Sequence, residues 1–144
     1  MIVYTVGTFD MLHVGHLRLL EHCQKLVSVV AVGVASDRVV HSYKPNKPVI
    51  PLEQRMQMLR ALRCVDIVIP YYDLEYVSGC RTVAADIFVV GEDWGTKAHN
   101  LAVEAYLLDQ GSEIVKVQYD LRTSSTQIKQ TVMAQPARKL AVAV

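Results

Sequence analysis

Residues 2–34, IVYTVGTFDMLHVGHLRLLEHCQKLVSVVAVGV, hold two runs of one kind separated by a run of another. Residues 2–6 are β-branched and aromatic and stop at Gly7, which reads as a buried strand. Leu19, Leu20, Cys23 and Leu26 then recur at helical spacing and predict a helix over 17–26. Residues 28–34 are apolar almost without a break. A strand with one wet face would alternate polar and apolar residues; this one does not, as expected of a parallel strand covered on both faces.

The alternation continues to the end of the chain. Strands are predicted over 65–70, 86–91 and 113–119, and helices over 52–62, 73–84, 98–108 and 125–133, with Gly79 weakening the second of these helices. The expected architecture is an α/β, doubly wound, five-stranded parallel sheet with helices on both faces, a Rossmann-like fold. Residues 1–133 form the predicted domain and 134–144 a tail without clear pattern. Folds of this kind bind ligands at the carboxyl ends of their strands, near the point where strand order reverses. The loops to inspect are therefore 7–16, 91–97 and 120–126, together with the long segment 35–51, whose length suits a lid.

Composition narrows the function classes. The 144 residues favour one domain, and with 51% hydrophobic residues they can bury a substantial core. Fifteen basic and fourteen acidic residues leave a formal charge of +1, which argues against a broad nucleic-acid footprint. Cys23, Cys64 and Cys80 are odd in number and form no C-x-x-C pair, so reduced core thiols in a cytoplasmic protein are expected rather than a disulfide frame. The chain opens directly into a strand-like run, so no signal peptide is expected, and no apolar stretch suits a membrane span.

The first loop, GTFDMLHVGH, carries the densest chemistry. Gly7 permits a tight turn, Thr8 and Asp10 supply short polar groups, and Gly15 lets a ligand approach the backbone. His13 and His16, at i and i+3, can face the same way in a first helical turn. A helix N-terminus favours phosphate, and two imidazoles can donate to phosphate oxygens. The same pair can instead ligate a metal or pack in a core; His22, His41 and His99 show no spacing that completes a zinc site.

The other loops add to this. In LRTSSTQIK, Ser125 and Thr126 stand where a helix cap would, and Arg122 can chelate phosphate or be a solvated charge. Lys44 and Lys47 lie among three prolines in the lid segment, and Arg55 and Arg63 on and just past the following helix. In GEDWGTK, Asp93 can accept from a base amine or a ribose hydroxyl, and Trp94 can wall a pocket or simply fill a turn.

Taken together these motifs resemble the nucleotidyltransferase superfamily with the H-x-G-H signature, and within it the glycerol-3-phosphate cytidylyltransferases. GTFDMLHVGHLRLLEHCQKL resembles that family's opening strand, loop and helix, EQRMQMLRALRCVDIVIP its middle helix and strand, and VVGEDWGTK its G-D-D-W loop. RTSSTQIK resembles its R-T-E-G-I-S-T-T signature but lacks E-G-I. The resemblance implies that Thr8, Phe9, Asp10, His13, Gly15 and His16 contact the triphosphate, with the histidines at the α-phosphate. It implies that Lys44 bridges the phosphates of nucleotide and substrate, with Lys47, Arg55 and Arg63 on the substrate side. Asp66, Gly91, Asp93 and Trp94 would form the nucleotide pocket, and Arg122, Thr123, Ser125 and Thr126 would hold the outer phosphates. The implied catalytic set is His13, His16, Lys44 and Arg122. The implied partners are CTP with Mg²⁺ and a small phosphorylated alcohol such as glycerol 3-phosphate, and the implied assembly is a homodimer. The alternatives are ATP as nucleotide, another acceptor such as a sugar phosphate, phosphoethanolamine or a flavin precursor, a nucleotide-binding module without turnover, and a metal-binding protein.

Overall fold

The computed structural model describes residues 1–118 and 124–136. Its elements run β1 (Ile2–Gly7), α1 (Val14–Leu26), β2 (Val29–Ala35), α2 (Asp37–Tyr43), α3 (Leu52–Arg60), β3 (Ile67–Tyr71), α4 (Val77–Val83), β4 (Ile87–Gly91), α5 (Ala98–Gln110), β5 (Glu113–Val117) and α6 (Ser125–Ala134). The five strands form one parallel sheet in the order β3-β2-β1-β4-β5. Strand order reverses between β1 and β4, and that crevice is where a doubly wound sheet receives its ligand.

Period-two side-chain direction divides the core. Val3, Val30, Val32 and Val34 face α1 and α3 and pack with Leu20, Cys23, Met56 and Leu59. Tyr4, Ala31, Phe88 and Val90 face the other way, onto Cys80, Val83, Val103 and Leu107 of α4 and α5. The apolar run of β2 thus has both faces covered, for the reason its composition predicts. All three cysteines are buried free thiols, and burial pushes Cys23 and Cys80 up to about 12, which leaves them unreactive.

Two helix expectations change. The 35–51 segment is not all loop, because Ser36 caps α2 by accepting from the Val39 N–H at 3.2 Å and buries Val39 and Val40. The lid shortens to residues 44–51. The 73–84 helix contracts to α4, and Gly79 sits inside it for a packing reason. A Cβ at Gly79 would collide with the Tyr4 hydroxyl, which also fills the space beside Gly33. At the amino edge of the sheet, Asp66 and Asp86 each accept the backbone N–H of a neighbouring strand, from Val30 at 2.8 Å and Ile2 at 2.7 Å.

Candidate active site

The loop from β1 to α1 is held in a strained path. Phe9 and Met11 both have positive φ, at 51° and 48°, a conformation that costs non-glycine residues on the order of 1–3 kcal/mol each. Phe9 is buried, and its ring lies 5.3 Å from that of His16. The strain delivers His13 as the N-cap of α1 and His16 as its third residue. The two form a capping box made of imidazoles: His13 Nδ1 accepts from the Gly15 N–H at 3.0 Å, and His16 Nδ1 accepts from the His13 N–H at 3.2 Å. Their rings stack at 3.8 Å.

These bonds decide the tautomer. A neutral imidazole whose Nδ1 accepts must carry its proton on Nε2. Burial and the neighbouring His13 hold His16 down at about 4, against the pull of Asp10, and burial also lowers His13. Both histidines are therefore neutral Nε2–H donors near neutral pH. His13 Nε2 is buried and has no hydrogen-bond partner among the described residues. An orphaned donor at a helix N-terminus is what an anionic oxygen would satisfy.

The depressed values carry a sign for stability. Between the ordinary histidine range near 6.5 and about 4, the unfolded chain binds a proton that folded His16 refuses, so stability falls as pH drops through that window. Urea midpoints at pH 7, 5.5 and 4.5 are expected to decline in that order, and His16→Asn to flatten the decline. Equal midpoints would contradict a neutral, buried pair.

Asp10 ties the loops together. It is 5% exposed, and its Oδ2 and Oδ1 accept the N–H groups of Val49 at 2.8 Å and Ile50 at 2.9 Å. Lys129 Nζ stands 3.4 Å from Oδ2, and the Ser125 hydroxyl donates to the Asp10 carbonyl at 2.6 Å. Burial raises the Asp10 pKa, but the two N–H donors and the Lys129 ammonium outweigh it, and the carboxyl lies below its ordinary value. One residue thereby ties the start of α6, through its carbonyl, and the lysine-bearing segment 44–51, through its carboxylate, to the histidine loop. The resemblance implies a nucleotide contact for Asp10; here both of its carboxylate oxygens are engaged by the loop amides, and it ties the loops together.

Arg55 also changes role. It is 1% exposed, with Nε donating to the Ile50 carbonyl, Nη1 to those of Thr8 and Ala35, and Nη2 to Asp37 at 2.5 Å. It braces the loops after β1 and β2 and has no face left for a substrate. Asp66 and the exposed Arg63 lie at the amino edge of the sheet, a full strand length from the carboxyl ends, about 16 Å at the usual rise. Neither belongs to the pocket. The Gly15 amide is taken by His13, and Thr8 enters through its carbonyl to Arg55.

Gly91, Asp93 and Trp94 line a cavity of about 290 Å³ at the β1–β4 crevice, with Thr5 and Val6 of β1 as its floor. Tyr76, Lys97 and His99 line it too. Sequence reading passes over these three, although their place in the segments after β3 and β4 is the signal that could have found them. Tyr43 joins the rim, and the exposed Lys44 holds its Nζ 5.7 Å from the Tyr43 ring centroid. Lys47 and Thr126 are exposed. Ser124, not Ser125, caps α6, accepting from the Gln127 N–H at 3.1 Å. Lys129, one turn after Ser125, is the cation the sequence reading missed. Arg122 and Thr123, and the tail beyond 136, lie outside the described residues. Among the described residues no group of three or more His, Cys, Asp or Glu side chains can hold a metal ion, and no helix is long and apolar enough to cross a membrane.

A five-stranded parallel α/β sheet with helices on both faces and a cavity at the switch point defines a domain of Rossmann-like build. The chain belongs to the cytidylyltransferase-like family, whose model matches residues 4–131. It is 34% identical over 138 residues to the bifunctional protein HldE of Pectobacterium carotovorum, covering 95% of this chain and 28% of that protein. It is 35% identical over 132 residues to HldE of Yersinia pseudotuberculosis, covering 91% and 27%. The chain thus spans less than a third of the length of these curated relatives. Its fold is similar to that of a lipopolysaccharide core biosynthesis protein from Thermoplasma volcanium, with a TM-score of 0.68 and 23% identity over 83% of this chain and 96% of that one. It is also similar to Thermotoga maritima TmcAL bound with alpha-thio ATP, with a TM-score of 0.61 and 14% identity over 92% of this chain and 50% of that one.

Proposed function

We propose that this chain transfers a nucleotidyl group from a nucleoside triphosphate to a small phosphate monoester, with CTP and glycerol 3-phosphate as the first pair to test. The observation that carries the reading is the histidine capping box, which leaves two neutral Nε2–H groups, one of them orphaned, at a helix N-terminus. In the proposed step an oxygen of the acceptor phosphate bonds to the α-phosphorus. The bond from that phosphorus to the bridging oxygen breaks, and pyrophosphate leaves with the electron pair. The attacking oxygen is already anionic, so no general base is needed. Catalysis is alignment and charge stabilisation, as in phosphoryl transfer generally.

Charge sets the demand. Two like charges 4 Å apart repel by about 4 kcal/mol at an effective dielectric of 20, and a triphosphate meeting a phosphate monoester brings roughly six. His13 and His16 would donate to the α-phosphate, the α6 start and Arg122 would face the outer phosphates, and Lys44 would bridge donor and acceptor. Mg²⁺ would enter with the triphosphate as part of the substrate. A homodimer belongs to the same proposal, and sedimentation equilibrium tests it.

ATP with a sugar phosphate is the second reading, favoured by the similarity to HldE and by the ATP analogue bound to the structurally similar TmcAL. Pyrophosphate release across CTP and ATP, each with glycerol 3-phosphate, sugar phosphates, phosphoethanolamine and flavin mononucleotide, separates the two. Nucleotide binding without release for any pair would overturn the transferase reading. Arg122→Ala is expected to weaken triphosphate binding about tenfold, the cost of a lost charge-assisted hydrogen bond. Unchanged nucleotide affinity would remove Arg122 from the site.

A further inference from the structure

The segment joining β4 to α5 is mostly exposed, from Glu92 through Lys97, with one exception. Trp94, the chain's single tryptophan, is half-buried, with its ring 5.9 Å from that of Tyr76 and 5.6 Å from that of Phe88. Its Nε1–H donates to Glu104 Oε1 at 2.7 Å, and Glu104 stands in the second turn of α5. His99, in the first turn of the same helix, meets the edge of Tyr76 at 5.5 Å. Two side chains of α5, His99 and Glu104, therefore contact the two aromatic walls of the cavity at the β1–β4 crevice.

We propose that Glu104 is a positioning residue that latches Trp94 as the wall of the substrate cavity and so sets the affinity for the nucleoside part of the donor. The physical reason is that a tilted or edge-on aromatic packing tolerates sliding, whereas a short, charge-assisted hydrogen bond fixes the indole in its plane. Asp93 is the adjacent residue and also lines the cavity. Glu104 touches no substrate in this arrangement; it acts through the indole. The ligand in this inference rests on the proposed transferase reading, but the latch itself can be read in the free protein.

The test uses the full chain and the fluorescence of its single tryptophan. Gln at position 104 keeps an acceptor oxygen at the same reach, and Leu keeps the helix but cannot accept. In the free protein, Glu104→Leu is expected to shift Trp94 emission to longer wavelength and raise its quenching by acrylamide, while Glu104→Gln stays near wild type. With the substrate pair found active, Glu104→Leu is expected to raise the KM for the nucleotide about 3- to 10-fold with kcat changed less than about twofold. Trp94→Phe, which keeps a ring but loses the N–H, should show a similar rise, and the double variant should add nothing further. Wild-type emission and quenching in Glu104→Leu would overturn the latch whether or not any substrate pair turns over. Full additivity of the two KM effects would overturn it as well. Absence of turnover in wild type would instead overturn the transferase reading and leave the emission result to decide the latch.

Discussion

Replacing His16 with alanine is expected to lower kcat by at least about 100-fold, the order expected for loss of one transition-state donor in a water-poor site. The loss has two parts, because His16 does two things. Its Nδ1 accepts from the His13 N–H and completes the cap of α1, while its Nε2–H is left for a ligand. Alanine removes both, and loss of the cap alone costs about 1 kcal/mol of stability. Asparagine separates them, since its Oδ1 reaches the position of Nδ1 but its amide does not reach that of Nε2. His16→Asn should therefore fold with nearly wild-type stability and still lose about 100-fold in kcat. A folded His16→Asn enzyme turning over within threefold of wild type would end the assignment of His16 to the α-phosphate.

Arg55→Met is expected to destabilise the fold by about 2–5 kcal/mol, mainly the cost of leaving three carbonyls in the interior without their donor, since the Asp37 carboxylate is 43% exposed and can be hydrated. The guanidinium is 1% exposed and donates to three carbonyls and to Asp37, which tie the lid, the loop after β1 and the end of β2 to α3. Methionine fills the volume but leaves the carbonyls of Thr8, Ala35 and Ile50 without that donor, and it leaves Asp37 without its cation. Lysine is not a substitute, because one ammonium cannot spread over the fork that guanidinium spans. A typical domain has about 5–15 kcal/mol in total, so the loss should be plain in a urea titration. A substrate-binding Arg55 predicts the opposite: normal stability with a raised KM for the phosphate acceptor. A change in unfolding free energy below about 1 kcal/mol would restore that reading.

The contrast between these two residues shows how far the chain could be read unaided. The histidines are legible because their chemistry is local: i, i+3 spacing after a strand end is enough to place them in one helical turn. Arg55 looks like any basic residue on a helix, and only burial against residues 5, 18, 20 and 47 positions away reveals it as a brace. Asp10 is similar. It sits in the most informative motif of the chain, yet its partners are the amides of Val49 and Ile50, and backbone N–H groups carry no signature in sequence. Asp66 enters the pocket only through the resemblance; its position just before β3 already puts it at the amino edge of a parallel sheet, where it accepts the Val30 N–H. Lys129 carries no signal in the sequence, because its role depends on α6 lying against the first loop.

What the sequence determined by itself is what depends on neighbours within a few positions. That covers the alternation of strand and helix, the two-sided burial of β2, the histidine turn and the loops that carry the chemistry, since periodicity of side-chain direction is a local property of the backbone. What only the tertiary structure decided is how the segments answer one another. It places β1 beside β4 to open a crevice, turns Asp10 and Arg55 from ligands into ties, and directs the histidine protons to Nε2. These outcomes hang on which distant amide or carbonyl a polar group meets once it is buried, and a buried polar group must be paired wherever the fold provides a partner.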